Sequence, residues 1–193
     1  MSKPRLHVII ASTRPGRVGP AVAKWFKDFA DEMDQFDTHL VDLADFDLPV
    51  YDEPLHPKMQ QYEHDHTKRW SESVAAADAY VFVTPEYNYS PPPALVNALN
   101  YVYTEWNYKP CGFVSYGGAS GGLRAAQATK MLVTTLKMMP MVEGVMVPMV
   151  GELLDEQGRF QSNALIDDSA QTLLKELRLW ADGFKAMREQ QTG

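Results

Sequence analysis

The sequence predicts an α/β protein: a parallel sheet with helices on both faces, a three-layer sandwich. Three observations carry that expectation. Short apolar runs rich in β-branched residues alternate along the chain with longer runs of helical period. Those strands read as apolar throughout rather than alternating, as strands covered on both faces do. Three of them also end in loops rich in Gly, Ser, Thr or Tyr, at the place where open α/β sheets bind ligands. Five strands favour the order 2-1-3-4-5 over the six of a dinucleotide-binding sheet.

In chain order, Leu6–Ala11 reads as a strand and Pro20–Met33 as a helix, with Val22, Trp25, Phe26 and Phe29 on one face. Thr38–Leu43 is the second strand. Asp45–Pro57, with three prolines and several acids, is a long loop of unassigned role. His64–Ala77 is helical, Tyr80–Thr84 is the third strand, and Pro91–Trp106 is the third helix. Cys111–Tyr116 is the fourth strand and Gly121–Met138 the next helix. Met141–Met149 holds a fifth strand with a break expected near Gly144, and Asn163–Glu189 is a terminal helix carrying Leu173, Leu177, Trp180 and Phe184. No repeat or linker divides the chain, so residues 1–193 are expected to form one domain.

The formal net charge of -7 disfavours nonspecific attraction to nucleic acid or to anionic membranes. A single cysteine, Cys111, excludes an intrachain disulfide framework and suits a reducing compartment. No apolar run is long enough for a membrane span or a secretory leader, so a cytoplasmic protein is expected.

The first loop, Ser12-Thr13-Arg14-Pro15-Gly16-Arg17-Val18-Gly19, gathers two hydroxyls, two guanidinium groups and two glycines ahead of a helix that starts at Pro20. A phosphate monoester needs that set: donors, positive charge, close backbone approach and a helix N-terminus. A surface turn with two solvated arginines has the same composition. The P-loop and the Gly-x-Gly-x-x-Gly fingerprint are both absent.

The second loop, Thr84-Pro85-Glu86-Tyr87-Asn88-Tyr89-Ser90, is followed by Pro91-Pro92-Pro93. Three prolines remove the amides that would bind an anion at that helix start. What remains is a polar, aromatic loop whose amides at 86–88 suit the polar edge of a flavin ring, with Tyr87 and Tyr89 packed on or beside it. The plainer alternative has Ser90 capping the helix and Tyr87 filling a gap between loops. The third loop, Ser115-Tyr116-Gly117-Gly118-Ala119-Ser120-Gly121-Gly122, has glycines that suit either a flat ligand or a tight turn.

Together, Ala11–Arg17, Thr84–Ser90, Ser115–Gly118 and Asn97-Ala98-Leu99-Asn100-Tyr101 resemble the NADPH-dependent FMN reductase family of the flavodoxin-like superfamily, which includes quinone, azo-dye and chromate reductases. The resemblance covers about the first two-thirds of the chain. It implies a flavodoxin-like sandwich, FMN as cofactor, NADPH as co-substrate, and a ping-pong transfer to a quinone-, flavin- or azo-type acceptor. It implies that Ser12 and Arg14 hold the FMN phosphate, with Arg17, Val18 and Gly19 nearby. Pro85, Glu86, Tyr87 and Asn88 would line the isoalloxazine, and Ser115, Tyr116, Gly117 and Gly118 would close the other side. No protein residue need act as acid, base or nucleophile, because the cofactor carries the chemistry. Ala11 stands where many members have Gly, a methyl group that the strand end should tolerate; Pro91-Pro92-Pro93, where Ile-Pro or a similar pair often follows the loop serine, bears on the shape of the acceptor pocket rather than on flavin binding.

Two competing readings remain. A flavodoxin-like electron carrier would share the fold, but such carriers usually hold the phosphate without arginines. A metal site would use His64, His66, Glu63 and His56, yet positions i and i+2 on a helix point apart; Met138, Met139 and Met141 read as core or interface rather than a soft-metal site. The third helix, with Leu95, Val96, Leu99, Tyr101, Val102, Tyr103 and Trp106, is apolar enough to be buried in its own domain or against a partner. The family resemblance implies a homodimer, often paired into a homotetramer.

Overall fold

The computed structural model describes residues 3–191. Strands β1 (Arg5–Ile10), β2 (Asp37–Asp42), β3 (Ala79–Pro85) and β4 (Pro110–Tyr116) pair in parallel, and β5 (Met139–Pro140) and β6 (Val145–Val147) both pair with β4. The order is β2-β1-β3-β4-β5, with β6 on the same side of β4. Helices α1 (Gly19–Met33), α2 (Asp65–Ala76), α3 (Pro93–Tyr101), α4 (Leu123–Thr135) and α5 (Ala164–Gln191) supply the outer layers.

Side chains alternate across the sheet and build two cores. Val8, Val81, Val83 and Val114 face α1 and α5, where Val22, Phe26, Leu173 and Leu177 meet them. Ile9, Tyr80, Phe82 and Phe113 face the opposite way, onto Trp70, Leu95, Leu99 and Val133. All residues of β3 and β4 are buried. That is why the sequence shows them as unbroken apolar runs.

The fifth sheet position differs from the single strand expected over 141–149. Two short strands flank residues 141–144, although Met141 still donates its amide to the Cys111 carbonyl at 2.8 Å. The third helix is also shorter than expected: α3 ends at Tyr101, and a separate turn of 3-10 helix covers Thr104–Trp106. Its apolar residues are spent inside the chain, since Leu95, Leu99, Tyr101, Val102 and Trp106 are all buried. Self-burial thus accounts for the apolarity of this helix, and no partner is needed to explain it. Met138 and Met141 are buried core residues.

The long loop is not slack. Asn97 of α3 donates to the Pro49 carbonyl and accepts from the Tyr51 amide, and Tyr101 donates to Asp52 at 2.9 Å. Glu53 accepts from the amides of Glu63 and His64, which ties the loop to the start of α2. His64 lies just outside α2 with extended backbone (φ -90°, ψ 142°), so the argument that positions i and i+2 diverge does not apply to it. The rings of His64 and His66 stack, and both turn toward Asp52. Among the described residues no group of three or more His, Cys, Asp or Glu side chains is arranged to hold a metal ion.

Because all these strands are parallel, β1, β3 and β4 end on one edge of the sheet. Leu173 of α5 supports that arrangement directly: a methyl group on Gly112 of β4 would lie 2.6 Å from a Leu173 Cδ. Leu173 is fully buried, and Leu173→Ala is expected to cost about 2–5 kcal/mol in urea unfolding. A loss much smaller than this would mean that α5 can settle onto β4.

Candidate functional site

The β1–β3 ladder runs one bond beyond β1, where the Ala11 amide donates to the Val83 carbonyl at 3.0 Å. Ser12 is therefore delivered, buried, beside the loop after β3, where its Oγ and the Tyr87 hydroxyl share a hydrogen bond of 2.7 Å. This bond joins the first loop to the second.

The two arginines of the first loop behave differently. Arg17 makes a two-pronged pair with Asp42 at the end of β2, one contact at 2.7 Å, and also donates to the Ser12 carbonyl. Its charge is met, so the loop does not present two free cations as its composition suggested. Arg14 is exposed and forms no ion pair among the described residues. The start of α1 has no side-chain cap and no acid in its first turn. An unneutralised guanidinium beside an uncapped helix N-terminus suits an anion.

The second loop folds back on itself. Tyr87 and Ser90 exchange backbone hydrogen bonds at 2.9 and 3.0 Å around Asn88 and Tyr89, which have φ of 50° and 67°. Positive φ at both central residues is the mark of a type I′ turn. The Tyr87 amide is thus committed to Ser90 and is not offered to a ligand. Ser90 does not cap α3, whose N-cap is Pro92. Tyr89 is exposed, with the Arg124 guanidinium 4.2 Å from its ring centre.

Glu86 points away from the loop it belongs to and serves α4. It accepts from the Arg124 amide (2.9 Å), the Arg124 side chain, the Ser120 hydroxyl and the Ala125 amide. It is therefore a cap supplied by another element. In the third loop, Gly121 and Gly122 serve the turn: both have positive φ, and a methyl group on Gly122 would lie 2.7 Å from the Tyr116 nitrogen. Gly118 meets nothing within 4 Å of the same test position, so it has room beside it. The glycine-rich composition therefore answers to both the turn and the open approach.

Of the thirteen residues expected at the site, Ser12, Arg14, Arg17, Val18, Pro85, Glu86, Tyr87, Tyr116 and Gly117 line one cavity of about 190 Å³. Gly19 lies behind it against the Tyr116 hydroxyl, and Ser115 is buried at the end of β4. Asn88 and Gly118 are exposed and are not part of its lining. Sequence reading missed Val150, which lines the cavity because its amide bonds to the Gly117 carbonyl at 3.1 Å. It also missed Asp42 and Arg124, the partners of Arg17 and Glu86. A larger groove of about 820 Å³ runs along α1, past Trp25, Phe29 and Phe160, away from the three loops.

The cavity fits the phosphate end of a flavin nucleotide. Its donors and cations exceed its acceptors, and the Tyr116 hydroxyl is buried with no acceptor for its proton.

Burial works against ionisation of Glu86, but the hydrogen bonds it accepts outweigh this and hold its carboxyl below the usual range. A lowered folded-state value stabilises the protein above the unfolded pKa and is lost as pH falls through the folded one. Glu86→Gln is expected to destabilise the protein by roughly 1–3 kcal/mol at neutral pH. The difference from wild type should narrow in acid, as pH falls from the ordinary glutamate range toward the lower folded-state value; a gap in thermal melts that does not narrow at all on acidification would contradict the capping role.

A family model described as NADPH-dependent FMN reductase matches residues 4–152. An NAD(P)H-dependent FMN reductase of Schizosaccharomyces pombe is 40% identical over 177 residues, covering 81% of this chain and 88% of the relative. A quinone reductase of Pseudomonas putida is 31% identical over 68% of this chain and 70% of its own length. An NADPH azoreductase of a Bacillus species is 29% identical over 96% of this chain and 98% of its own. Among solved structures, a flavoenzyme NAD(P)H:(acceptor) oxidoreductase from Paracoccus denitrificans superposes with a TM-score of 0.70 at 19% identity, over 95% of this chain and 98% of that one, a likeness of fold. With the sheet order and the three converging loops, these matches establish that the chain belongs to the NADPH-dependent FMN reductase family of oxidoreductases, with FMN and NAD(P)H as its cofactors.

Proposed function

We propose that this protein binds FMN across the carboxyl ends of β1, β3 and β4, and transfers reducing equivalents from NADPH to a quinone-, flavin- or azo-type acceptor. The observation that carries this reading is the surplus of donors and positive charge where the first loop meets α1. Quinone and azo compounds are proposed because relatives named as quinone reductase and azoreductase align over most of the chain.

Bound FMN would supply the redox chemistry that links the nicotinamide to the acceptor. The protein holds and positions. Ser12 and Arg14 hold the phosphate, with Val18 and Gly19 at the start of α1. Arg17, steered by Asp42, pins the Ser12 carbonyl and so keeps the loop in shape. Pro85, Tyr87 and Asn88 form one wall for the ring, and Glu86 fixes the loop by anchoring it to α4. Ser115, Gly117 and Gly118 border the opposite side, where Gly118 leaves room for close approach. The cavity lining includes no histidine, cysteine or lysine, and its one carboxylate is occupied, which favours cofactor-borne chemistry. Reductant and acceptor are proposed to use the open side in turn, in ping-pong order.

The whole chain is proposed to act as one FMN-binding unit. A homodimer, or a tetramer of paired dimers, is proposed on exposed Val50, Leu55 and Met59. Sedimentation showing only monomer at micromolar concentration would contradict it. A cytoplasmic location is proposed on the single, buried thiol of Cys111; among the described residues no helix is long and apolar enough to cross a membrane.

The purified protein should show flavin absorption bands, release FMN on denaturation, and oxidise NADPH rapidly once quinone is added. FMN-loaded protein without turnover would overturn the acceptor chemistry. Arg14→Ala should weaken FMN binding by about tenfold or more, as loss of a charge-assisted contact does. Unchanged affinity would remove Arg14 from the phosphate site.

A further inference from the structure

The last residue of β4 stands in an unexpected place. The Tyr116 side chain packs in the core beneath α1 and α5, and only 4% of the residue is exposed. Its hydroxyl reaches the first residue of α1: a methyl group on Gly19 would lie 2.8 Å from that oxygen. The bare Cα of Gly19 is what leaves room for it. Yet the hydroxyl, fully enclosed, has no acceptor for its proton: the one polar group beside it, the Gly19 amide, can only donate to it. A buried hydroxyl without an acceptor is costly, and phenylalanine would fill the same space without that cost.

What surrounds the hydroxyl suggests the missing partner. Ser12, Arg14, Arg17 and Val18 line the same cavity as Tyr116. Burial pushes the hydroxyl's pKa well up and Tyr87 adds to this, while Arg17, Arg14 and the Gly19 amide oppose it, so the proton stays in place to be donated. The Ser12 and Tyr87 hydroxyls share one hydrogen bond, which leaves one proton of that pair to be donated as well. The start of α1 offers amides and no acid. Donors and cations collect at this point, and an acceptor is lacking. A phosphate monoester brings three acceptor oxygens and about two negative charges.

We propose that the Tyr116 hydroxyl donates to the phosphate of the flavin nucleotide and makes the site select FMN over riboflavin. Tyr116 then belongs to the phosphate end of the pocket rather than to the ring wall where resemblance alone put it. Gly19 is its positioning residue, needed for the space it leaves. This proposal rests on the FMN reading given above.

The test is equilibrium titration of cofactor-free protein, wild type and Tyr116→Phe, with FMN and separately with riboflavin, alongside thermal melts of the cofactor-free forms. Tyr116→Phe is expected to weaken FMN about tenfold or more and to leave riboflavin unchanged, as loss of one hydrogen bond to a charged group requires. Its cofactor-free melting temperature should equal or exceed that of wild type, because a buried unpaired hydroxyl has been removed. Equal losses for both flavins with a lowered melting temperature would mean that Tyr116 is only structural, and would overturn the proposal. Unchanged FMN affinity would overturn it too. Wild-type protein that binds neither flavin would overturn the FMN reading itself, and this proposal with it.

Discussion

The pairing of β3 between β1 and β4 is the constraint on which the rest of this molecule depends. The register sets Ile10 beside Val83 and Val83 beside Val114, so three strands end together. A slip of one residue would exchange the faces of every side chain and bring both cores apart. Within this register Ser12 arrives buried beside Tyr87, and Tyr116 reaches under the first turn of α1. The site is thus a property of the sheet, and the loops express it.

Two carboxylates then shape the loops by taking up groups that would otherwise compete for a ligand. Asp42 occupies Arg17, and the same guanidinium holds the Ser12 carbonyl. Both side chains of the pair are only 19% exposed, so it is less screened than a surface pair and acts as a fixed strut. Glu86 satisfies amides at the start of α4 and steadies the second loop as it does so. With Arg17 and the α4 amides committed, Arg14 and the α1 N-terminus are left to meet an anion. The proposed phosphate site follows from this contrast between helix starts: α4 is capped by Glu86, α3 follows three successive prolines, and α1 has no side-chain cap and no acid in its first turn.

Much of the fold was legible because burial on both faces leaves a strong local mark. Val81, Phe82 and Val83 read as a strand since nothing polar could stand there, and Pro91 to Pro93 marked a helix start without free amides. The misreadings share one cause, which is that they turned on who meets whom. The apolarity of α3 did not say whether its own core or another chain would cover it; Trp70, Trp106 and Tyr80 do. Arg17 reads as a free cation until β2 places Asp42 beside it, 25 residues along the chain. His64 and His66 diverge on a helix, but His64 lies just before one. The fifth strand divides because only two short stretches of its backbone come within reach of β4.

By itself the sequence determined the alternation of strands and helices, the order of the sheet, and which three loops carry polar and flexible residues. These follow from local burial, from period, and from proline and glycine chemistry, and each acts over a few neighbouring residues. Only the tertiary structure decided the division of labour within the loops: Arg14 open and Arg17 paired, Glu86 turned to α4, Tyr87 joined to Ser12, and Tyr116 unsatisfied beneath Gly19. Hydrogen bonds and ion pairs between residues far apart in the chain depend on distances that local pattern does not encode, and those distances are set when the two cores close on the sheet.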